Sequence, residues 1–140
     1  MELTHQQIFE RYLYAGAITR DPDAIAAMFT EDGVLEAPLV AAGHPLRHLA
    51  GRDAIRAGTA AYHTRPAPPG TIDIERTAYV LHDTADPAVF IAEIDVVLAQ
   101  ADGTRTTMSL VQIFRLRNGR IAVLRDYFSE PEPEPEPAAG

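Results

Sequence analysis

Apolar residues in the first half of the chain recur at helical spacing, which predicts three helices. The first spans about Thr4–Ile18 and opens with a capping box between its threonine and the glutamine three residues later. The second covers about Asp21–Phe29 and begins with an N-cap aspartate followed by proline at the first helical position. It should end at Glu31-Asp32-Gly33. A third helix is predicted over Asp53–His63.

The second half of the chain changes to the alternating pattern of β-strands. A short strand over Val34–Ala37 and a loop over Pro38–Ala50 are also predicted, between the second and third helices. Asp102-Gly103 and Asn118-Gly119 are strong hairpin signals, so the last three strands should form an antiparallel meander. Four β-rich runs are predicted: Thr71–His82, Ala88–Gln100, Arg105–Arg117 and Arg120–Ser129.

Helices first and an antiparallel sheet afterwards is an α+β order, and no βα units alternate along the chain. The 140 residues suit one domain, which we place at residues 1–129. Residues 130–140 begin with alternating glutamate and proline, a composition that predicts a disordered, solvated tail.

Composition excludes several classes of function. The chain has no cysteine, so disulfides, thiolate metal sites and thiol nucleophiles are ruled out. The formal net charge is −8 and no basic stripe is visible, which argues against binding to nucleic acid. No apolar run approaches the roughly 20 residues that a membrane helix needs, and the N-terminus lacks the pattern of a signal peptide. We therefore expect a cytoplasmic protein that contacts neither nucleic acid nor a membrane.

Three acids lie among apolar neighbours in predicted strands. Alternation places Glu93 and Asp95 on one face with Ile91, and Asp126 on one face with Leu124 and Phe128. Burying an unpaired charge is costly, so such acids need an explanation. They could face solvent or pair with arginines, or all three could line one pocket and transfer protons.

A resemblance to a known superfamily favours the pocket. Three segments carry this resemblance: Asp21-Pro22-Asp23-Ala24-Ile25 through Gly33, Gly51-Arg52-Asp53-Ala54-Ile55, and Phe114-Arg115-Leu116 through Ile121. With these segments the chain resembles the nuclear transport factor 2-like superfamily over about residues 21–130. This superfamily implies a cone-shaped, curved antiparallel sheet packed on three N-terminal helices and enclosing an apolar pocket. It includes isomerases, hydrolases, cyclases and non-enzymes.

Two predicted strands contain the segments Glu93-Ile94-Asp95-Val96-Val97-Leu98 and Leu124-Arg125-Asp126-Tyr127-Phe128. Both segments resemble strands of limonene-epoxide-hydrolase-like proteins within that superfamily. The resemblance implies Asp126 as the base that activates water and Asp95 as the acid. Glu93 stands where that family has an arginine. SnoaL-like polyketide cyclases keep mainly an aspartate late in the sheet, a role that Asp126 also fits.

Other features of these families are matched only partly. Ketosteroid isomerases have an aspartate where this chain has Ala37, and Gln112 stands at the position of their second acid. Tyr12 or Tyr14 could match their oxyanion tyrosine. His44 and His48 are four residues apart in the predicted loop, and two histidines are too few for a zinc site. Solvated loop histidines are the favoured interpretation, and substrate gating is the alternative.

The predicted function is carboxylate acid–base catalysis on a small apolar metabolite, by epoxide opening or polyketide-type ring closure. A non-catalytic ligand-binding or assembly module is the alternative. We expect no cofactor, no metal and, from the resemblance, a homodimer. The predicted catalytic residues are Asp126, Asp95 and Glu93, and the predicted pocket lining is Tyr12, Leu35, Leu124, Phe128 and Ile91.

Overall fold

The computed structural model describes residues 3–65 and 70–129, so the tail predicted at residues 130–140 lies outside the described part. In the described residues, the helices and one pair of strands come first, and the remaining strands of the sheet follow. The elements are α1 His5–Leu13, α2 Pro22–Ala27, β1 Phe29–Glu36, β2 His48–Ala50, α3 Arg52–His63, β3 Thr71–Ile72, β4 Ala78–Asp83, β5 Val89–Ala99, β6 Arg105–Arg117 and β7 Arg120–Tyr127.

The first helix begins as predicted and ends differently. Thr4 and Gln7 form a reciprocal capping box, in which the Gln7 backbone N–H donates to Thr4 Oγ1 at 3.1 Å. The amphipathic pattern buries Ile8 and Phe9. After Leu13 the helix widens into a π-helical turn, Tyr14–Ile18, instead of continuing as α-helix. Together the two elements cover the predicted range.

The predicted end of the second helix at Glu31-Asp32-Gly33 is wrong, because these residues belong to β1. The strand begins at Phe29, which is fully buried and pairs with Ile121 of β7. The ladder shifts register between Phe29 and Val34, and this irregularity contains the polar residues that suggested a turn. The partner strand is more than eighty residues away, so local sequence could not reveal it.

The sheet is open and mixed, with strand order β2-β1-β7-β6-β5-β3, and β4 also pairs with β5. The predicted meander of β5, β6 and β7 is antiparallel. The α+β class is confirmed, but a wholly antiparallel sheet is wrong because β1 runs parallel to β7. The last strand therefore lies between β1 and β6, away from both edges of the sheet.

Two further strand boundaries differ from the prediction. The run predicted over Thr71–His82 is two short strands, because Asp73 accepts hydrogen bonds from the backbone and side chain of Arg76 and turns the chain. The segment predicted as a loop contains β2, which pairs antiparallel with β1.

Large aromatic side chains define the inner face of the sheet, on which the helices pack. Phe90 and Phe114 stack with ring centroids 4.6 Å apart, and Phe9 of α1 packs edge-on against Phe114. All three are fully buried. Burying each aromatic side chain contributes about 2–3 kcal/mol, so this cluster fixes which face of the sheet is inside. In the described residues no helix is long and apolar enough to cross a membrane.

Candidate functional site

A buried acid and a buried amide face each other across the inner sheet surface. Gln112 of β6 and Asp126 of β7 are directly opposite in the antiparallel register. Gln112 Nε2 donates to Asp126 Oδ2 at 3.2 Å. The two residues are only 7% and 8% exposed, respectively. On the same face, the next pair along the two strands is Phe114 and Leu124, which are both fully buried.

Burial changes the titration of Asp126. Desolvation raises its pKa from the ordinary value of 3.8 to about 7, and the hydrogen bond from Gln112 opposes the rise. Neighbouring Arg125 gives no compensation, because it points to the opposite sheet face and lies 3.4 Å from Glu36. Near neutral pH the carboxyl group therefore exists in both protonation states, as a group that both takes and returns protons requires.

Tyr12 of α1 covers this part of the sheet. Its ring packs edge-on against Phe29 and Phe114, with centroids 6.5 and 5.6 Å apart. Burial raises the pKa of Tyr12 far above its ordinary value, and the nearby Asp126 and Tyr62 raise it further. Its hydroxyl is therefore a neutral hydrogen-bond donor at all ordinary pH values.

Two oxygens of the Gln112–Asp126 pair are buried without a hydrogen-bond partner. They are Gln112 Oε1 and Asp126 Oδ1. A buried acceptor that makes no hydrogen bond costs about 1–3 kcal/mol, so native interiors rarely tolerate two in one place. A molecule that donates hydrogen bonds to these two oxygens would remove this cost.

Glu93 and Asp95 do not join Asp126, and the predicted convergence of the three acids is wrong. Phe90, Ala92 and Ile94 of β5 point inward, so Glu93 and Asp95 lie on the outer face and are exposed. Glu93 pairs with His82, and Asp95 accepts a hydrogen bond of 2.6 Å from Ser109 Oγ. Both faces of this strand carry aliphatic residues, so the hydrophobic pattern alone left its orientation open.

The predicted pocket-lining residues divide in the same way. Leu35, Leu124 and Phe128 are buried in the core, and Tyr12 packs against it. Ile91 is on the outer face with Glu93, so its predicted place in the lining is wrong. Successive side chains of a strand point to opposite faces, and both neighbours of Ile91, Phe90 and Ala92, are fully buried. Ile91 therefore points outward.

The two loop histidines have separate environments. His44 is buried, contrary to the predicted solvated state, and its Nδ1 accepts a hydrogen bond from the Leu46 backbone N–H at 3.0 Å. Its ring packs against Tyr62 and Phe128. His48 is exposed and lies 3.3 Å from Glu36. Among residues 3–65 and 70–129, no three His, Asp or Glu side chains are grouped to hold a metal ion.

Two surface cavities lie away from the buried pair. One is between α1 and α2 and is lined by Glu10, Arg11 and Tyr14 among others. The other lies at the start of α3 around Gly51 and Arg52. Neither includes Asp126, so the candidate site is identified by its buried polar groups and not by an open cavity.

Several solved structures share this fold. A candidate isomerase from Bacillus subtilis is 22% identical, covers 88% of this chain and 84% of its own, and has a TM-score of 0.67. A candidate polyketide cyclase from Pseudomonas putida is 20% identical over 90% of this chain and 92% of its own, with a TM-score of 0.62. An LEH-like epoxide hydrolase from M. tuberculosis is 22% identical over 86% and 79%, with a TM-score of 0.53.

These similarities define a nuclear transport factor 2-like fold of the ketosteroid-isomerase type. The model of the SnoaL-like domain matches residues 9–124. The chain therefore belongs to the SnoaL-like domain family. No curated protein sequence matches it.

Three polar residues on the inner side of the sheet were not among the predicted site residues: Gln112, His44 and Tyr62. The alternation of side chains along β6 could have identified Gln112, because it shares a face with Phe114 and the large aromatic residues mark the inner face. His44 gave no such signal, since its burial depends on Tyr62 and Phe128, which are distant in sequence.

Proposed function

We propose that this protein is a small-molecule enzyme in which Asp126 is the single general acid–base group, acting on a mostly apolar metabolite. The observation that carries the proposal is the buried carboxyl group, which has an unpartnered oxygen and a pKa of about 7. A group that titrates near the working pH can accept a proton in one step and return it in the next.

Intramolecular ring closure uses such a group economically. Asp126 would take a proton from a carbon next to a carbonyl group, and the C–H electron pair would form an enolate. The enolate carbon then bonds to a second carbonyl carbon, whose oxygen receives the proton back from Asp126. The neutral hydroxyl of Tyr12 is suited to donate a hydrogen bond to the developing oxyanion.

Ring closure or isomerisation is favoured over epoxide opening. Opening an epoxide with water calls for a base and a separate acid, and the acid suggested by the sequence, Asp95, is exposed on the other sheet face. A single carboxyl group is sufficient for a reaction that moves one proton away and back. The fold similarity to both a candidate cyclase and an epoxide hydrolase is compatible with either chemistry.

A ligand-binding module without catalysis is the second candidate. Glu93 and Asp95 are exposed and hydrogen-bonded, which is the arrangement expected if the acids of β5 serve no reaction. In this case Asp126 would recognise a ligand and transfer no proton.

The pH dependence of turnover tests the catalytic proposal. If ionised Asp126 is the base, kcat/KM should rise about tenfold per pH unit below pH 7 and level off above it. The measurement uses cyclisable diketones screened for turnover by the wild-type protein. A rate that is flat between about pH 5.5 and 8.5, or no turnover of any compound, would favour the binding module.

We also propose a homodimer formed through the outer sheet face. Val111 and Ile113 of β6 are half-buried there beside Ile91, and Val80 of β4 is 58% exposed. We expect sedimentation at micromolar concentration to give the mass of a dimer, and Ile113→Glu to give a monomer, because a charge on a buried interface is costly. A wild-type monomer would contradict the proposal.

The cytoplasmic location stays a prediction.

A further inference from the structure

When Asp126 is ionised, the Gln112–Asp126 pair has two buried acceptors that make no hydrogen bond. Gln112 Nε2 is engaged by Asp126 Oδ2, so the amide oxygen is turned away from the carboxyl group. The remaining atoms, Gln112 Oε1 and Asp126 Oδ1, are buried and unpartnered. A ligand whose oxygen can only accept hydrogen bonds, such as an ether, would leave both of them unsatisfied.

The orientation of the amide follows from the ionised acid. A carboxylate accepts hydrogen bonds and donates none, so it selects the rotamer of Gln112 that brings Nε2 towards it. Above pH 7 the ionised form of Asp126 predominates. Gln112 Oε1 and Asp126 Oδ1 are then both acceptors without a partner.

Access to the pair differs along the strands. On one side lie the fully buried Phe90, Phe114 and Leu124. On the other side, further along the same face, Leu110 and Val96 are only partly buried. The second side, which also holds Ile94 and Phe128, is therefore the less tightly covered of the two, and a ligand would approach from it.

We propose that Gln112 is a specificity-determining residue, whose Oε1 accepts a hydrogen bond from a hydroxyl group of the ligand beside the proton that Asp126 removes. This inference rests on the proposed function for the role of Asp126. It names the substrate class, an apolar compound with a phenolic or enolic hydroxyl group next to its reacting carbon. Such a ligand satisfies one acceptor by its hydroxyl and the other by the proton transferred.

Phenol and anisole are suitable probes because they differ by one methyl group on the oxygen. Anisole is the more apolar, so burial alone favours it. If Gln112 recognises a hydroxyl group, phenol should bind the wild-type protein about fivefold or more tightly at about pH 8.5. Titrations followed by NMR give both dissociation constants, and phenol should shift the side-chain amide resonances of Gln112.

Gln112→Met keeps the length of the side chain and removes both amide atoms. The phenol preference should fall at least about threefold in this variant and persist in Ser109→Ala, a change on the outer face of the same strand. An unchanged preference in Gln112→Met, equal binding of the two probes, or binding of neither would overturn the proposal. If the variant does not fold, the wild-type ratio and the Gln112 amide shift decide the question alone.

The two proposals can fail separately, because probe binding involves no turnover. A phenol preference together with a flat pH–rate profile would keep the hydroxyl recognition and remove the catalysis. The reverse result would keep the catalysis and remove the role of Gln112.

Discussion

Asp126→Asn is expected to lower kcat/KM by about 10²-fold or more, because asparagine keeps the shape of the side chain but cannot take a proton. The assay is the turnover of a compound that the wild-type protein converts, at about pH 8, where Asp126 is mostly ionised. A loss in kcat with little change in KM would indicate a group that acts in the reaction and not in ground-state binding.

Asp95→Asn is the matched control for this loss. It makes the same chemical change in the neighbouring part of the sheet, but on the exposed outer face, where Asp95 contacts Ser109. We expect it to retain wild-type turnover. Full activity of Asp126→Asn would refute the catalytic role, and an equal loss in Asp95→Asn would show that the effect is not specific to the inner face.

The second large effect concerns stability and pH. The pKa of Asp126 is about 7 in the folded chain and near 3.8 when the chain is unfolded. Between these values the folded state binds more protons than the unfolded state, so the free energy of unfolding falls as pH rises. The fall should total about 4 kcal/mol and be complete above pH 7.

Asp126→Asn removes this titration. The variant should gain stability relative to the wild type by about 2 kcal/mol between about pH 5.5 and 8.5, and should be the more stable protein at the higher pH. Urea unfolding of wild type, Asp126→Asn and Asp95→Asn at both pH values measures the gain. Asp95→Asn should follow the wild type. A constant difference between Asp126→Asn and wild type would mean that the carboxyl group is not buried as described.

Local signals predicted most of the fold. The capping box at Thr4, the Asp21-Pro22 helix start and the Asn118-Gly119 hairpin each depend on neighbouring residues, and the structure has all three elements. The errors lie where distant partners decide. The strand that begins at Phe29 exists because it pairs with β7, and no local propensity records that pairing.

The site was predicted less completely, for a reason of geometry. Alternation shows which residues of a strand share a face, but it does not show which face is inside when both are apolar. At the end of β7 and just after it, Leu124 and Phe128 are buried, and the prediction correctly places Asp126 with them. In β5 both faces carry aliphatic residues, and the predicted placement of Glu93 and Asp95 on the inner face is wrong. The fully buried Phe90 decides between them.

The central position of β7 has a consequence for how the chain matures. During synthesis, β1 is made early, but its parallel partner is the last strand of the sheet to emerge. Until then the inner edges of β1 and β6 both lack a neighbour, so the nascent chain holds two unjoined fragments of sheet. The same strand carries Asp126. Pairing of β7 with β1 and β6 therefore joins the two parts of the sheet and buries the acid in one late event. An incompletely translated chain has neither the finished core nor the buried carboxyl group.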